Sequence, residues 1–338
     1  MPWPRAWRQR TPLSYALWPL SVLYRLLSRW QQKRLLKQQV TLSVPVIVVG
    51  NIVVGGTGKT PFLLWFVEFL RQQGYRPGIV SRGYGRQQAT PSLVQPTDSA
   101  VAVGDEPLLI AQHANVPVCV GQNRLMAAQW LMQQHPELDV IISDDGLQHL
   151  RLPRDLEICL FDGQVVAGNR WLLPAGPLRE PLGRLAQVNL VIGKGRALTG
   201  SYAVDSVQEH LQGTPTLVMQ TAIGEPVPMT VNLSPAPDSS TPIIAYCGIG
   251  QPESFFSALR AQGWNIRPFV VSDHAPVNAT ILEQFRGQTV FMTSKDAVKF
   301  RAFELPFAAY EVPLRVQFSD SDMVVLRQVL ASVLTRFL

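Results

Sequence analysis

Gly55-Gly56-Thr57-Gly58-Lys59-Thr60 determines how this chain is organised. It follows the apolar run Val44–Val49 and precedes a helical pattern that opens at Pro61. Glycines let backbone N–H groups turn toward an anion, and the N-terminus of the next helix adds positive potential. The pattern predicts a loop that binds nucleotide phosphates, with Lys59 at the β- and γ-phosphates and Thr60 at Mg²⁺. A glycine-rich turn with a chance Lys-Thr pair is the alternative.

One position departs from the general phosphate-loop pattern G-x-x-x-x-G-K-[ST], because Val53 stands where that pattern has its first glycine. The predicted phosphate-binding residues are Val53, Val54, Gly55, Gly56, Thr57, Gly58, Lys59 and Thr60.

Composition indicates a folded protein with room for two domains. The chain has 338 residues, of which 46% are hydrophobic and 16% charged. Its three cysteines are far apart in sequence and form no C-x-x-C pair. This usage fits a reducing compartment and argues against a zinc site or a disulfide framework.

The positive charge is concentrated at the N-terminus. Residues 1–67 contain nine Arg or Lys and no Asp or Glu, and the whole chain has a formal charge of +6, so residues 68–338 carry −3. After Pro19, which suits a first helical turn, Leu20, Leu23, Leu26, Leu27 and Trp30 recur at helical spacing. A basic stripe runs beside them and consists of Arg25, Arg29, Lys33 and Lys37.

This amphipathic, basic pattern predicts that residues 1–40 form a helix region lying in a membrane interface. The apolar run is too short and too interrupted by arginines to span a bilayer, and no small-residue cleavage site marks a signal peptide. An amphipathic helix packed on the protein's own core is the alternative. Nucleic acid is not expected as a partner, since the rest of the chain is slightly acidic.

Short apolar runs alternate with helical patterns along the remaining chain. Alternation of this kind predicts an α/β fold with a mostly parallel sheet covered by helices, and ligands beyond the carboxyl ends of its strands. We predict a P-loop nucleotide-binding domain over residues 41–221 and a second, smaller α/β domain over 242–338. Residues 222–241 are rich in Gly, Pro, Ser and Asp, and we expect them to connect the two.

Carboxylates stand at several predicted strand and helix ends. Asp144 and Asp145 end the strand that begins at Val140, where an acid of a P-loop protein holds or positions Mg²⁺. Asp105 and Glu106 precede a helix, and they serve either as helix caps or as a general base for a hydroxyl. His274 follows a strand of the second domain and is a possible partner of that base.

Arginines lie in turn-like surroundings near these acids. Arg82 and Arg86 are in the glycine-rich segment after a strand, and Arg124, Arg154 and Arg179 follow later. Arginines in loops near a phosphate site indicate recognition of an anionic substrate, with a solvated surface as the alternative for each.

Together these motifs resemble the tetraacyldisaccharide 4′-kinase (lipid A 4′-kinase) family over nearly the whole chain and in the family's order. The matching blocks are residues 50–51 with 55–61, 81–85, 104–107, 144–149, 173–181, 247–252 and 292–299. The blocks Asp-Asp-Gly-Leu-Gln-His (144–149) and Leu-Pro-Ala-Gly-Pro-Leu-Arg-Glu (173–180) are the most specific. The family's loop does not require the glycine that Val53 replaces.

The resemblance implies two α/β/α domains with the active site in the cleft between them. It implies an enzyme at the cytoplasmic face of the Gram-negative inner membrane, associated peripherally, that transfers the ATP γ-phosphate to the 4′-hydroxyl of an acylated disaccharide 1-phosphate. ATP and Mg²⁺ are the implied cofactors.

The resemblance also implies roles for single residues. The family's catalytic aspartate matches Asp105, and its partner histidine matches His274, although the family's following histidine is Ala275 here. The implied catalytic residues are Asp105, His274, Lys59 and Asp145, and the implied metal ligands are Thr60, Asp144 and Glu106. The residues expected to contact the lipid substrate are Arg82, Arg124, Gln148, His149 and Arg179.

Two other classes of protein share part of this pattern. A GTPase or partitioning ATPase also has a glycine-lysine-threonine loop, but no guanine-reading motif is evident, and the lysine that partitioning ATPases place before Gly-Gly is Val54 here. A membrane-bound nucleotide switch that acts on a protein partner would hydrolyse ATP slowly and phosphorylate no lipid.

Overall fold

A computed structural model describes residues 4–83, 86, 90–162, 167–195, 207–230, 237–272 and 275–334. Among these residues the strands form two sheets, one with nine strands and one with five. The mixed α/β architecture with mostly parallel sheets is the predicted fold class, and the prediction is confirmed.

The larger sheet has the strand order β14-β8-β7-β6-β1-β5-β2-β4-β3. Its pairings are parallel except at the two edges, where β14 pairs with β8 and β3 with β4 in antiparallel fashion. Its strands are β1 (Val46–Gly50), β2 (Pro77–Ser81), β3 (Ser92–Leu93), β4 (Val118–Val120), β5 (Val140–Asp144), β6 (Leu156–Asp162), β7 (Leu190–Lys194), β8 (Thr216–Ile223) and β14 (Leu314–Gln317).

The smaller sheet has the order β11-β10-β12-β13-β9, and only the β13–β9 pairing is antiparallel. Its strands are β9 (Val227–Pro228), β10 (Ile243–Cys247), β11 (Ile266–Val270), β12 (Thr289–Thr293) and β13 (Ala308–Val312). The helices of the described residues are α1 (Arg5–Arg8), α2 (Pro12–Leu36), α3 (Lys59–Gln72), α4 (Ala100–Val103), α5 (Asp105–His113), α6 (Arg124–Gln134), α7 (Pro252–Ala261), α8 (Ala279–Gln284), α9 (Ser294–Phe300) and α10 (Asp320–Leu334), with a 3-10 helix over Leu182–Gln187.

Strand β1 lies at the centre of the larger sheet, between β5 and β6. Its residues are fully buried and alternate between the two layers, because successive side chains of a strand point to opposite faces. Ile47 and Val49 contribute to the core that contains α3, whereas Val46 and Val48 contribute to the core on the opposite face. Both faces of the sheet are therefore covered, as expected for parallel strands.

The C-terminal segment departs from the predicted domain boundary. Strand β14 pairs with β8 in the larger sheet, and α10 packs Leu326, Leu330 and Val333 into the core that holds α3. Residues 314–334 thus belong with the first domain, although the sequence places them in the second. Local patterns show that α10 has an apolar face, but they do not show which core that face covers.

Helix α2 begins seven residues before the predicted start at Pro19. Thr11 caps it, with reciprocal hydrogen bonds between Thr11 and Ser14, so Pro19 lies inside the helix. The apolar face points away from the protein: Leu23 is 51% exposed, Leu27 57% and Trp30 64%. The described residues include no helix with the length and apolar content that crossing a membrane requires.

Candidate active site

The candidate site lies at the carboxyl edge of the larger sheet. The glycine loop follows β1, Ser81 ends β2 and Asp144 ends β5, and these three strands are neighbours. Gly55 and Gly58 have φ angles of 123° and 81°, in the region that favours glycine. The loop therefore takes the tight turn that leads into the N-terminus of α3.

Asn51 supports this loop from inside and was not among the predicted site residues. It is fully buried, and its side-chain amide donates to the Thr57 hydroxyl at 3.1 Å and to the Gly55 carbonyl at 3.4 Å. Its side-chain oxygen has no hydrogen-bond partner among the described residues. The Gly50-Asn51 pair that precedes the loop is the sequence signal for this support.

The structure narrows the predicted phosphate-binding run. Val53 is buried and forms a bridge with Leu178, and the Val54 N–H donates to the Pro177 carbonyl at 2.9 Å. These two residues attach the loop to the segment before Arg179. The predicted phosphate-binding run, without these two residues, begins at Gly55.

Asp145 links the glycine loop to the arginine-containing segment. Its carboxylate lies 3.5 Å from the Lys59 ammonium and 3.1 Å from the Arg179 guanidinium. Burial raises the pKa of Asp145, but the charges of Lys59 and Arg179 outweigh that effect and hold it below its ordinary value. Asp145 has a φ of 47°, which aspartate adopts more readily than most residues.

Asp144 is a buried carboxylate beside other acids. Its Oδ2 accepts a hydrogen bond from the Ser81 hydroxyl at 2.8 Å. Burial, together with the negative charges of Glu106 and Asp145, raises the pKa of Asp144 to about 6. Such mutual repulsion is relieved by a cation, so this carboxylate set fits Mg²⁺. The described residues contain no preformed group of three His, Cys, Asp or Glu ligands.

Positive groups also gather near these acids. Arg124 is 2% exposed, and one of its terminal nitrogens donates to the Gly121 carbonyl at 2.8 Å. Within the part of the chain that the structure describes, its Nε has no hydrogen-bond partner. Burial lowers the pKa of Arg124 to about 10, so it is charged at neutral pH. Burial and the charges of Arg124 and Arg82 lower the pKa of His149 to about 4, so His149 is neutral there. This cluster is suited to an anion.

Gln148 takes a supporting position instead of the predicted substrate contact. Its amide nitrogen donates to the Asn51 carbonyl at 3.1 Å and to the Glu180 carboxylate at 2.6 Å. Both N–H bonds are thus used inside the protein. Glu180, 4% exposed, was not predicted as a site residue, although it ends the specific 173–180 block.

Helix α9 contacts the predicted catalytic aspartate. Lys299 of α9 has its ammonium 3.7 Å from Asp105 and 3.8 Å from the fully buried Asp296. Lys295 of the same helix lies 3.8 Å from Glu106. Sequence reasoning missed both lysines as site residues, although they lie in the 292–299 block. His274, the predicted partner of Asp105, lies outside the described residues.

Fold and site define the class of this protein: a P-loop phosphotransferase, with a glycine loop, a lysine and paired acids on one edge of a parallel sheet. Comparison with known proteins specifies the family. The chain belongs to the tetraacyldisaccharide-1-P 4′-kinase family, whose model matches residues 13–334.

Individual relatives agree over most of their length. The chain is 43% identical to the tetraacyldisaccharide 4′-kinase of Azoarcus sp. (strain BH72), covering 94% of this chain and 92% of that protein. It is 41% identical to the enzyme of the same name from Shewanella halifaxensis, with 88% of each covered. The crystal structure of LpxK from Aquifex aeolicus, described as an "apo" form in complex with ATP, superposes with a TM-score of 0.75 at 25% identity, covering 95% of this chain and 99% of that one.

Proposed function

We propose that this protein transfers the γ-phosphate of ATP to the 4′-hydroxyl of tetraacyldisaccharide 1-phosphate, a late step of lipid A biosynthesis. Family membership supports this activity. The structural observation that best supports this activity is that Lys59 and Arg179 both contact the Asp145 carboxylate. A phosphate-loop lysine and an anion-binding arginine thus lie beside the same acid. Phosphoryl transfer depends mainly on such positioning and charge neutralisation.

Lys59 and the amides of the loop after Val54 hold the phosphates of ATP in this proposal. Release of Lys59 from Asp145 frees its ammonium for the β- and γ-phosphates, and the N-terminus of α3 adds positive potential there. Asn51 keeps the loop in its binding conformation through Thr57.

Asp105 accepts the proton of the 4′-hydroxyl. It is the first residue of α5 and faces the second domain, where Lys299 contributes the opposing charge. His274 assists Asp105 in this proposal, which for His274 rests on the sequence resemblance. Domain contact at this aspartate would exclude water and limit hydrolysis of ATP.

Thr60, Asp144 and Glu106 are the residues that would hold Mg²⁺. The repulsion among the acids and the single accepted hydrogen bond at Asp144 Oδ2 support this assignment. When bound, Mg²⁺ neutralises charge that develops on the phosphate oxygens. Magnesium keeps several water or phosphate ligands, so two protein carboxylates and a hydroxyl suffice.

Arg82, Arg124, His149 and Arg179 bind the anionic disaccharide in this proposal. The buried Arg124 and the neutral His149 offer N–H donors in a region of positive potential. Arg179 is shared between Asp145 and this region, so it would couple the substrate to the phosphate loop.

Helix α2 docks the enzyme on the cytoplasmic face of the Gram-negative inner membrane, where an acylated substrate resides. Its outward leucines and Trp30 would enter the interface, and the exposed basic stripe would meet anionic headgroups. An amphipathic helix that packs on the protein's own core buries its apolar face. Helix α2 instead exposes its apolar face.

The test is transfer of label from γ-labelled ATP to tetraacyldisaccharide 1-phosphate in mixed micelles with Mg²⁺. We expect labelled lipid on a thin-layer plate with the wild type and with the exposed control Arg286→Ala, and its loss with Lys59→Ala. Consumption of ATP without labelled lipid would instead indicate a nucleotide switch or an ATPase.

A further inference from the structure

Helix α2 turns hydroxyl groups toward the protein. Ser14 and Ser21, seven residues apart on one face, are its buried residues, with Ser21 only 4% exposed. An interface anchor needs only its apolar outer face, so the buried hydroxyls of the inner face have a different task. Their partners identify it.

The inner face of α2 holds the segment of residues 172–180, called here the 172–180 loop. The Ser21 hydroxyl donates to the Leu172 carbonyl at 2.8 Å and accepts from the Ala175 N–H at 3.0 Å. The Tyr24 hydroxyl donates to the Arg179 carbonyl at 3.0 Å. Two side chains one helical turn apart thus fix both ends of this loop.

The 172–180 loop in turn holds the phosphate loop. The Val54 N–H donates to the Pro177 carbonyl at 2.9 Å, and the Arg179 N–H donates to the Ile52 carbonyl at 2.8 Å. The Arg179 side chain continues to Asp145 and from there to Lys59. A continuous series of short polar contacts therefore runs from the membrane-facing helix to the phosphate-loop lysine.

We propose that Ser21 and Tyr24 are positioning residues for phosphoryl transfer, through which helix α2 sets the geometry of the phosphate loop and of Arg179. This inference rests on the proposed function and extends it, because the helix then serves as a wall of the nucleotide site as well as an anchor. Movement of α2 at a lipid surface changes the position of the Arg179 carbonyl, and with it Ile52 and Asp145.

The experiment compares Tyr24→Phe and Ser21→Ala with the wild type and with Ser28→Ala, a hydroxyl removal at a half-buried position further along the same helix. Three quantities are measured: kcat and KM for tetraacyldisaccharide 1-phosphate in mixed micelles, the affinity for a fluorescent ATP analogue, and partition to vesicles of phosphatidylethanolamine and phosphatidylglycerol. Melting temperatures establish that each variant is folded, and Tyr24→Phe preserves the ring and its packing.

Displacement of reacting groups by a fraction of an ångström lowers kcat steeply, so we expect a fall of about tenfold in Tyr24→Phe and Ser21→Ala. The ATP analogue should bind these variants more weakly, whereas the lipid KM and vesicle partition stay at the wild-type values. Ser28→Ala should match the wild type in all three measurements.

Two outcomes overturn the inference. The double variant Ser21→Ala/Tyr24→Phe with wild-type kcat and analogue affinity would show that α2 acts only as an anchor. A raised lipid KM at unchanged kcat would show that Tyr24 contacts the substrate directly. If the wild type bound the analogue but labelled no lipid, the proposed function would fail, while the analogue affinities would still decide the positioning role.

Discussion

His113 of α5 and Glu311 of β13, a strand of the smaller sheet, form a hydrogen bond of 2.8 Å between Nε2 and Oε1. The other ring nitrogen of His113 faces the Leu109 carbonyl at 3.0 Å, so both nitrogens lie against acceptors and both must donate. His113 is therefore an imidazolium in this contact. Arg301, 2.6 Å from the second Glu311 oxygen, completes the cluster.

This pair predicts a pH-dependent domain contact. The hydrogen bond that His113 donates to the Glu311 carboxylate raises the pKa of His113 above 6.5. Its stabilisation is therefore complete below about pH 6.5 and is lost as pH rises through the raised value. Burial raises the pKa of Glu311, but His113 outweighs it and lowers the value to about 2, so that contribution is present above about 4.5 and declines as pH falls toward 2.

We therefore expect hydrogen exchange at the C-terminus of α5 and in β13 to quicken as pH increases from 6 to 8, after correction for the intrinsic exchange rate. His113→Gln should remove this dependence and lower the free energy of unfolding by about 1–2 kcal/mol. His135→Gln is the control, because it removes the solvent-exposed contact of His135 with Glu137. Equal protection at both pH values in the wild type would contradict the prediction.

Lys299 supplies a buried cation to Asp296 of its own helix and to Asp105 of α5. Replacement by methionine leaves the fully buried Asp296 without its counter-ion, and the loss of one partner of a buried pair is costly. We expect Lys299→Met to lower the free energy of unfolding by about 3 kcal/mol in denaturant titrations and to reduce kcat. Arg260→Met, which removes an exposed pair with Glu253, should change stability by less than about 1 kcal/mol. A denaturation midpoint for Lys299→Met equal to that of the wild type would show that Asp105 and Asp296 need no cation.

The basic stripe of α2 predicts salt-sensitive binding to anionic bilayers. Neutralisation of Arg25, Arg29 and Lys33 by glutamine should weaken partition to phosphatidylglycerol vesicles by about tenfold or more, since each basic residue contributes about 1 kcal/mol near such a surface. Co-sedimentation at low and at high salt measures this. The exposed Arg286→Gln is the control. In the triple glutamine variant, partition should depend much less on salt concentration than it does in the wild type. Unchanged partition would mean that α2 does not meet the headgroups.

The buried position of Arg124 predicts that both its charge and the shape of its guanidinium group contribute to substrate binding. Arg124→Met should raise the lipid KM by about tenfold or more, because a charge-assisted hydrogen bond is lost, while ATP-analogue affinity stays unchanged. Arg124→Lys should recover part of the loss, since it restores the charge but not the guanidinium geometry. Arg151→Met serves as the exposed control. A lipid KM unaffected in Arg124→Met would remove this arginine from the substrate site.

The sequence closely predicts the larger sheet and the helices that surround the site. Helix α3 ends at Gln72, and Gly74, which follows it, has a φ of 90° and donates to the Arg71 carbonyl, as is typical of a glycine after a helix. Strands and glycine turns of this kind are local features. The long-range return of β14 and α10 to the larger sheet is not local, and the predicted domain boundary misses it.

The site shows the same division. Lys59, Asp144, Asp145 and Arg179 follow from their positions at strand ends and from the resemblance, and the structure brings them together. The supporting roles of Asn51, Ser81 and Glu180 depend on which residues face each other across neighbouring strands and loops. A single sequence does not show which residues face each other in this way. The sequence therefore predicts a substrate contact for Gln148, whose amide nitrogen donates to the Asn51 carbonyl and to Glu180.

The return of the C-terminal segment to the larger sheet bears on the order in which the protein is made. Translation delivers β14 and α10 only after the whole five-stranded sheet has emerged. A nascent chain therefore exposes the open edge of β8 and the uncovered apolar face of α3 until β14 and α10 have emerged. The larger sheet begins before the smaller sheet along the chain but is completed only after it.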